Sequence, residues 1–126
     1  MDDDLAQDLT ERYPMLYDHD SVMGLARHAF PFECDDGWYP LLDVVSEYAQ
    51  WYAEKHDEEV RFRQVKQKWG ELRIAYRGPN DLSTVLGFAR MLSTRVCEKC
   101  SSMEAVEVRD DGGWARPMCA ACFEAD

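Results

Sequence analysis

The 126-residue chain holds 25 acidic and 14 basic side chains, a formal net charge of −11, and is 46% hydrophobic. That length bounds it to one domain, or to a compact domain with a small appendage, with enough apolar residues for a core. No apolar run approaches the ~18 residues that a membrane crossing needs, and so acidic a chain is repelled by bulk nucleic acid unless a local basic segment binds it.

The start, Met1-Asp2-Asp3-Asp4, is acidic where a secretory signal would be basic and then apolar, which predicts a cytoplasmic protein. Residues 3–12 suit a short amphipathic helix, with Leu5 and Leu9 four apart and acids in the first turn, ended by Pro14. Asp20-Ser21 can cap a second short helix, with Val22, Leu25, Ala26 and Ala29 on one face and Pro31 as its stop. Residues 31–37 read as loop. A third helix follows, with Pro40 in its first turn and Leu41, Leu42, Val44, Val45, Tyr48, Ala49, Trp51 and Tyr52 as a broad apolar face. Its aromatics could stack bases, but helical spacing among acids favours core packing.

Polarity then changes. Residues 1–59 carry 16 acids against 3 bases, residues 60–96 carry 2 against 8, and residues 97–126 carry 7 against 3. Residues 61–69 and 71–77 read as a basic β-hairpin hinged near Gly70. Leu72, Ile74 and Tyr76 alternate with polar neighbours, whereas Phe62 and Val65 are three apart and predict a bulge. Asp81 can cap a fourth helix with Leu82, Val85, Leu86, Ala89 and Leu92 inward.

The C-terminal quarter carries the strongest chemical signal. Cys97-Glu98-Lys99-Cys100 and Cys119-Ala120-Ala121-Cys122 are two Cys-x-x-Cys pairs separated by 18 residues, the spacing of a four-thiolate zinc site. Each pair aims two sulfurs at one point, and residues 105–109 and 114–118, turning at 110–113, form the hairpin that joins them. Four thiolates at about 2.3 Å fill the zinc tetrahedron and leave no place for water or substrate, so Cys97, Cys100, Cys119 and Cys122 are expected to hold one structural zinc ion. Thiolates bind metal in a reducing compartment, in keeping with a cytoplasmic protein. Cys34, the fifth cysteine, is expected to be a small buried hydrophobe. The fold class is thus α+β: helices on a small antiparallel hairpin or sheet, as an acidic body over residues 1–96, and a zinc-ribbon-like subdomain over 97–126.

The segments 37–42 (Gly-Trp-Tyr-Pro-Leu-Leu) and 64–73 (Gln-Val-Lys-Gln-Lys-Trp-Gly-Glu-Leu-Arg), then Cys97-Glu98-x-Cys100, Gly113-Trp114 and Cys119-x-x-Cys122, occur in that order. In these the chain resembles a family of small, mostly uncharacterised bacteriophage and prophage proteins that pair such a Gln-Val-Lys segment with a zinc knuckle. The likeness covers about residues 37–122; the acidic first third has no counterpart in it. It implies a phage or mobile-element origin and a bacterial host cytoplasm. By analogy with other small acidic phage proteins, it also implies inhibition of a host defence complex.

Three classes of function follow. Enzymatic chemistry finds no convergent polar set: the zinc tetrahedron is full, and no His-x-Glu accompanies the Cys-x-x-Cys pairs. His19, His28 and His56 share no ligand spacing, and Glu33 and Asp35 would blunt Cys34 as a nucleophile. No small-molecule substrate or membrane partner is expected. Nucleic-acid binding would use Arg61, Arg63, Lys66, Lys68, Arg73 and Arg77, with Trp69 and Tyr76 among them; Arg61 and Arg63 face away from Lys66 and Lys68 unless the bulge realigns them. The preferred class is protein binding, with a host protein or complex, including one that handles nucleic acid, as the partner. Asp2, Asp3, Asp4, Asp8 and Glu11, or Asp57, Glu58 and Glu59, would complement its basic surface.

Overall fold

The computed structural model describes residues 1–17 and 30–125, and the helix expected from Asp20 to Ala29 lies outside them. Helix α1 (Asp3–Arg12) starts where Asp2 accepts the Asp4 N–H at 2.8 Å, and Asp3 and Asp4 sit at the positive end of its dipole. Leu9 and Ala6 are buried beneath it. Strand β1 (Phe32–Glu33) arises in a stretch expected to be loop. It pairs in parallel with Val65 and Lys66, and two residues are too few for any periodicity to announce a strand.

A short 3-10 turn (Asp36–Trp38) feeds α2 (Tyr39–His56), with Pro40 in the first turn as expected. Leu41, Leu42, Val45 and Ala49 are buried; Val44, Tyr48 and Trp51 are not, which corrects their assignment to one broad core face. Residues 41, 45 and 49 and residues 44, 48 and 51 are two separate stripes of an α-helix, and the fold covers one of them.

Strands β2 (Arg61–Lys68) and β3 (Glu71–Arg77) form the expected antiparallel hairpin. Trp69 and Gly70 both adopt positive φ, 57° and 81°, as a two-residue turn that matches the strand twist requires. The register slips between Phe62 and Gln64, where a bulge was expected, so that Phe62 and Val65 both face the core. Helix α3 (Leu82–Ser93) follows, with Leu82 and Ala89 buried. Asp81 does not cap it: its backbone is already helical (φ −60°, ψ −27°), which turns the carboxylate away from the first N–H groups, and it accepts the Tyr52 hydroxyl instead.

The sheet order is β1-β2-β3, and α3 packs against β3. Fully buried Ser93 accepts the Leu72 N–H at 2.9 Å. A Ser93→Ala change would leave that buried donor unmatched, so a loss of about 2 kcal/mol is expected in chemical denaturation. A ring of aromatics fills the other side of the core, with Tyr17 5.0, 5.1 and 5.5 Å from Phe30, Phe32 and Phe62. The Tyr17 hydroxyl meets Ser46 at 2.6 Å, and burial raises its pKa well above the usual tyrosine value.

The C-terminal quarter is a hairpin, β4 (Val106–Asp111) and β5 (Trp114–Cys119), followed by a short helix α4 (Ala120–Ala125) that was not expected. Gly112 and Gly113 supply the positive φ of its turn.

Candidate metal centre

The first cysteine pair lies between α3 and β4. The chain folds back on itself there: the Ser101 N–H reaches the Cys97 carbonyl at 3.0 Å, and the Cys97 N–H reaches the Ser102 carbonyl at 2.7 Å. The second pair spans the junction of β5 and α4, where the Cys122 N–H points at the Cys119 sulfur at 3.4 Å. Residues β4 and β5 carry the two turns together. All four Sγ atoms lie within 4.8 Å of one another, and those of Cys100 and Cys119 are 3.7 Å apart. Sulfurs at about 2.3 Å from one tetrahedral ion would be about 3.8 Å apart, so the donor set fits a metal ion. All five cysteines, including buried Cys34, are free of disulfides.

Electrostatics prepares the cluster for a cation. Burial works against ionising Cys97, but the backbone N–H groups of Cys119, Cys100 and Lys99 outweigh it and bring the thiol down to about 7. Cys122 moves the other way, up to about 12, because hydrogen bonds to the Cys100 and Cys119 sulfurs, and then burial, favour its protonated thiol. Cys97 ionises readily whereas Cys100 and Cys122 resist, the imbalance that a bound divalent cation removes.

The cluster is fastened to the body by Glu98, which lies between two of the cysteines and is only 4% exposed. Its carboxylate accepts the Asp35 N–H at 2.9 Å and Arg116 Nε at 3.2 Å, and Arg116 also reaches Asp35 at 2.9 Å. Its backbone donates to the Pro117 carbonyl at 2.8 Å and accepts the Gly37 N–H at 2.6 Å. Trp38, fully buried, donates its indole N–H to the Val96 carbonyl at 3.0 Å, and the Ser101 hydroxyl donates to the Gly37 carbonyl at 2.7 Å. Gln67 on β2 bridges to the Ala115 carbonyl at 2.9 Å. Beside it Gly70 lies under Val108, where a Cβ would come within 2.6 Å of a methyl group. Apart from Gly70 as the hairpin's hinge, none of these anchors was assigned a role from sequence, although Gly37, Trp38, Gln67, Gly70 and Glu98 fall within the segments that carry the resemblance.

The other expected site residues are dispersed. Asp2 is a helix cap, Asp8 accepts the Tyr39 hydroxyl beside Arg12, and Glu11 accepts Gln7 at 2.8 Å, while Asp3 and Asp4 are exposed in the first turn. Asp57, in the left-handed region at φ 50°, ends α2; Glu58 donates its N–H to Ala53, and Glu59 lies 4.0 Å from Arg61. The α1 acids meet the start of α2 and residues 57–59 follow its end, about 25 Å away along an 18-residue helix. They do not form one surface.

The basic residues converge better than their spacing implied. Arg61 pairs across the ladder with Arg77, Lys66 with Arg73, and Lys68 with Glu71, so Arg61, Lys66, Lys68, Arg73 and Arg77 share one face of the sheet. Arg63 is the extra residue of the bulge.

No protein-family model matches the chain, and neither do curated proteins or solved structures. Among the described residues no helix is long and apolar enough to cross a membrane.

Proposed function

We propose that the protein is a non-enzymatic module, stapled by one zinc ion in a ribbon-like hairpin, that acts by binding another protein. The observation that carries this reading is the second apolar stripe of α2. Val44, Tyr48 and Trp51 lie at i, i+4 and i+7 and are 65%, 37% and 47% exposed. Tyr48 and Trp51 pack ring to ring at 5.4 Å, Lys55 covers Trp51, and Glu47 and Glu54 are exposed on the same helix. An apolar stripe bordered by carboxylates suits a partner groove with an apolar floor and basic walls.

Two features argue against catalysis. Four thiolates complete a tetrahedral shell, so the metal serves the fold. The Cys34 thiol is pushed up to about 12 by burial and then by the Glu98 carboxylate, so it is no nucleophile near neutral pH. The resemblance to phage proteins makes a host protein complex the expected partner, inhibited by stoichiometric occupation.

The test compares wild type with a Val44→Asp/Trp51→Asp variant, each immobilised under nuclease-treated host lysate. Wild type is expected to retain a discrete complex that the variant loses, with zinc content and melting unchanged. Equal retention by both, or retention that needs nucleic acid, would sink the reading.

A further inference from the structure

The sheet has a second, differently charged face, independent of the α2 stripe. With the bulge at Arg63, the ladder sets Lys66 and Lys68 two residues apart on β2 and Arg73 and Arg77 four apart on β3, with Arg61 opposite Arg77. Strand rise makes the i, i+2 spacing about 6.6 Å. Among the described residues no layer covers this face: Ala75, at its middle, is exposed although it has almost no side chain to reach out with. Helix α3 borders it and leaves a groove of about 460 Å³ that Lys66, Lys68, Arg73 and Arg90 line. The groove wall is open at Gly87, where an added Cβ would meet nothing within 4 Å.

Five cations on this face stand against three neighbouring carboxylates, one of which, Glu59, lies 4.0 Å from Arg61. Glu33 is beside Lys66 across the β1 ladder, and Glu71 is held by Arg90 and lies 3.6 Å from Arg73. The turn at the end of the same hairpin presents Trp69, 71% exposed. The acids that dominate the total charge are mostly on α1, α2 and the segments around them. At physiological salt, screening over about 8 Å keeps acids beyond that distance from cancelling the field at this face.

We propose that this open face binds single-stranded nucleic acid, with backbone phosphates along Lys66, Lys68, Arg73 and Arg77 and a base stacked on Trp69. A row of cations answers a row of phosphates, and an exposed indole accepts any base by stacking. A duplex would meet the cations but could not offer Trp69 an unstacked base. An acidic protein would supply charge without a ring to stack.

The experiment is fluorescence anisotropy of the full-length zinc-loaded protein with a labelled thymidine oligonucleotide of about 16 nucleotides. Saturable binding is expected, weakening between about 50 and 200 mM salt with a log–log slope near −3, as about four phosphate contacts imply. Lys66→Glu/Arg73→Glu should abolish it, and Trp69→Ala should weaken it about tenfold at unchanged salt slope, since stacking carries no charge. Trp51→Ala, on the α2 stripe, should leave it unchanged, which separates this site from the protein-binding reading. Circular dichroism and zinc content check that each variant folds. Absence of binding at low salt, indifference to charge reversal, duplex DNA bound equally well whether or not Trp69 is present, or polyglutamate bound as tightly would each overturn the proposal.

Discussion

Replacing Gly37 with alanine is expected to cost about 3 kcal/mol or more, visible as a fall in melting temperature of about 10 °C. The backbone at Gly37 does not need a positive φ, so the cost is one of space. An added Cβ would overlap the Cys97 carbonyl oxygen and the Glu98 carbonyl group, both backbone atoms that no rotamer change can move away. Relief requires the 3-10 turn and the cysteine knuckle to separate. That would stretch the Gly37–Glu98 and Ser101–Gly37 hydrogen bonds and draw the Trp38 indole from the Val96 carbonyl. Gly87→Ala is the informative contrast. That glycine lies inside α3 with open space around it, and alanine there should stabilise the protein by about 0.5–1 kcal/mol. If both variants melted like wild type, the close docking of turn and knuckle would not hold in solution.

Removing the metal is expected to be the larger perturbation. Structural zinc contributes apparent binding energies of about 10–16 kcal/mol at neutral pH, more than the total stability of most domains. Chelation, or Cys119→Ser, should therefore unfold β4, β5 and α4, whose buried cluster among the described residues is Cys97, Met118 and Cys119 with Val106 and Cys122 against it. The loss should spread to the body. Glu98 would lose its partner Arg116, leaving a carboxylate designed for burial among the Asp35 N–H and little else. Hydrogen exchange should accordingly rise first in residues 97–125 and next in residues 32–38. Native mass spectrometry should report one zinc ion in wild type. A Cys119→Ser protein with full zinc and native melting would refute the assignment of the four ligands.

The sequence was legible where chemistry or strict periodicity spoke. Cysteine spacing located the sulfur cluster, alternation at Leu72, Ile74 and Tyr76 located β3, and the three-residue gap between Phe62 and Val65 located the bulge. Where it misled, a local pattern had two solutions. The apolar residues of α2 sum to one wide face on paper, and tertiary packing covers Val45 and Ala49 while leaving Val44, Tyr48 and Trp51 outside. Long-range contacts left no local trace at all. Nothing near Glu98 says that its carboxylate meets the Asp35 amide 63 residues earlier, and nothing near Gly37 says that a carbonyl occupies the space beside its Cα. The alignment of Arg61 with Lys66 and Lys68 depended on the count of residues in the bulge, which the ladder alone could supply.

The capping of the β3 edge at Leu72 by Ser93 bears on how the protein can associate. On the far side of the sheet, β1 covers β2 at Val65 and Lys66, and the Phe62 N–H is already taken by the Leu16 carbonyl at 2.9 Å. The β4–β5 ribbon is guarded as well: Pro117 has no N–H to offer, its carbonyl is bound by Glu98, and β4 carries Glu107 and Arg109. At these points the backbone edges of both sheets are already engaged, which narrows the places where another strand could add, the route by which β proteins polymerise. Strand addition is disfavoured at these positions, which shifts the weight of any assembly toward contacts between side chains.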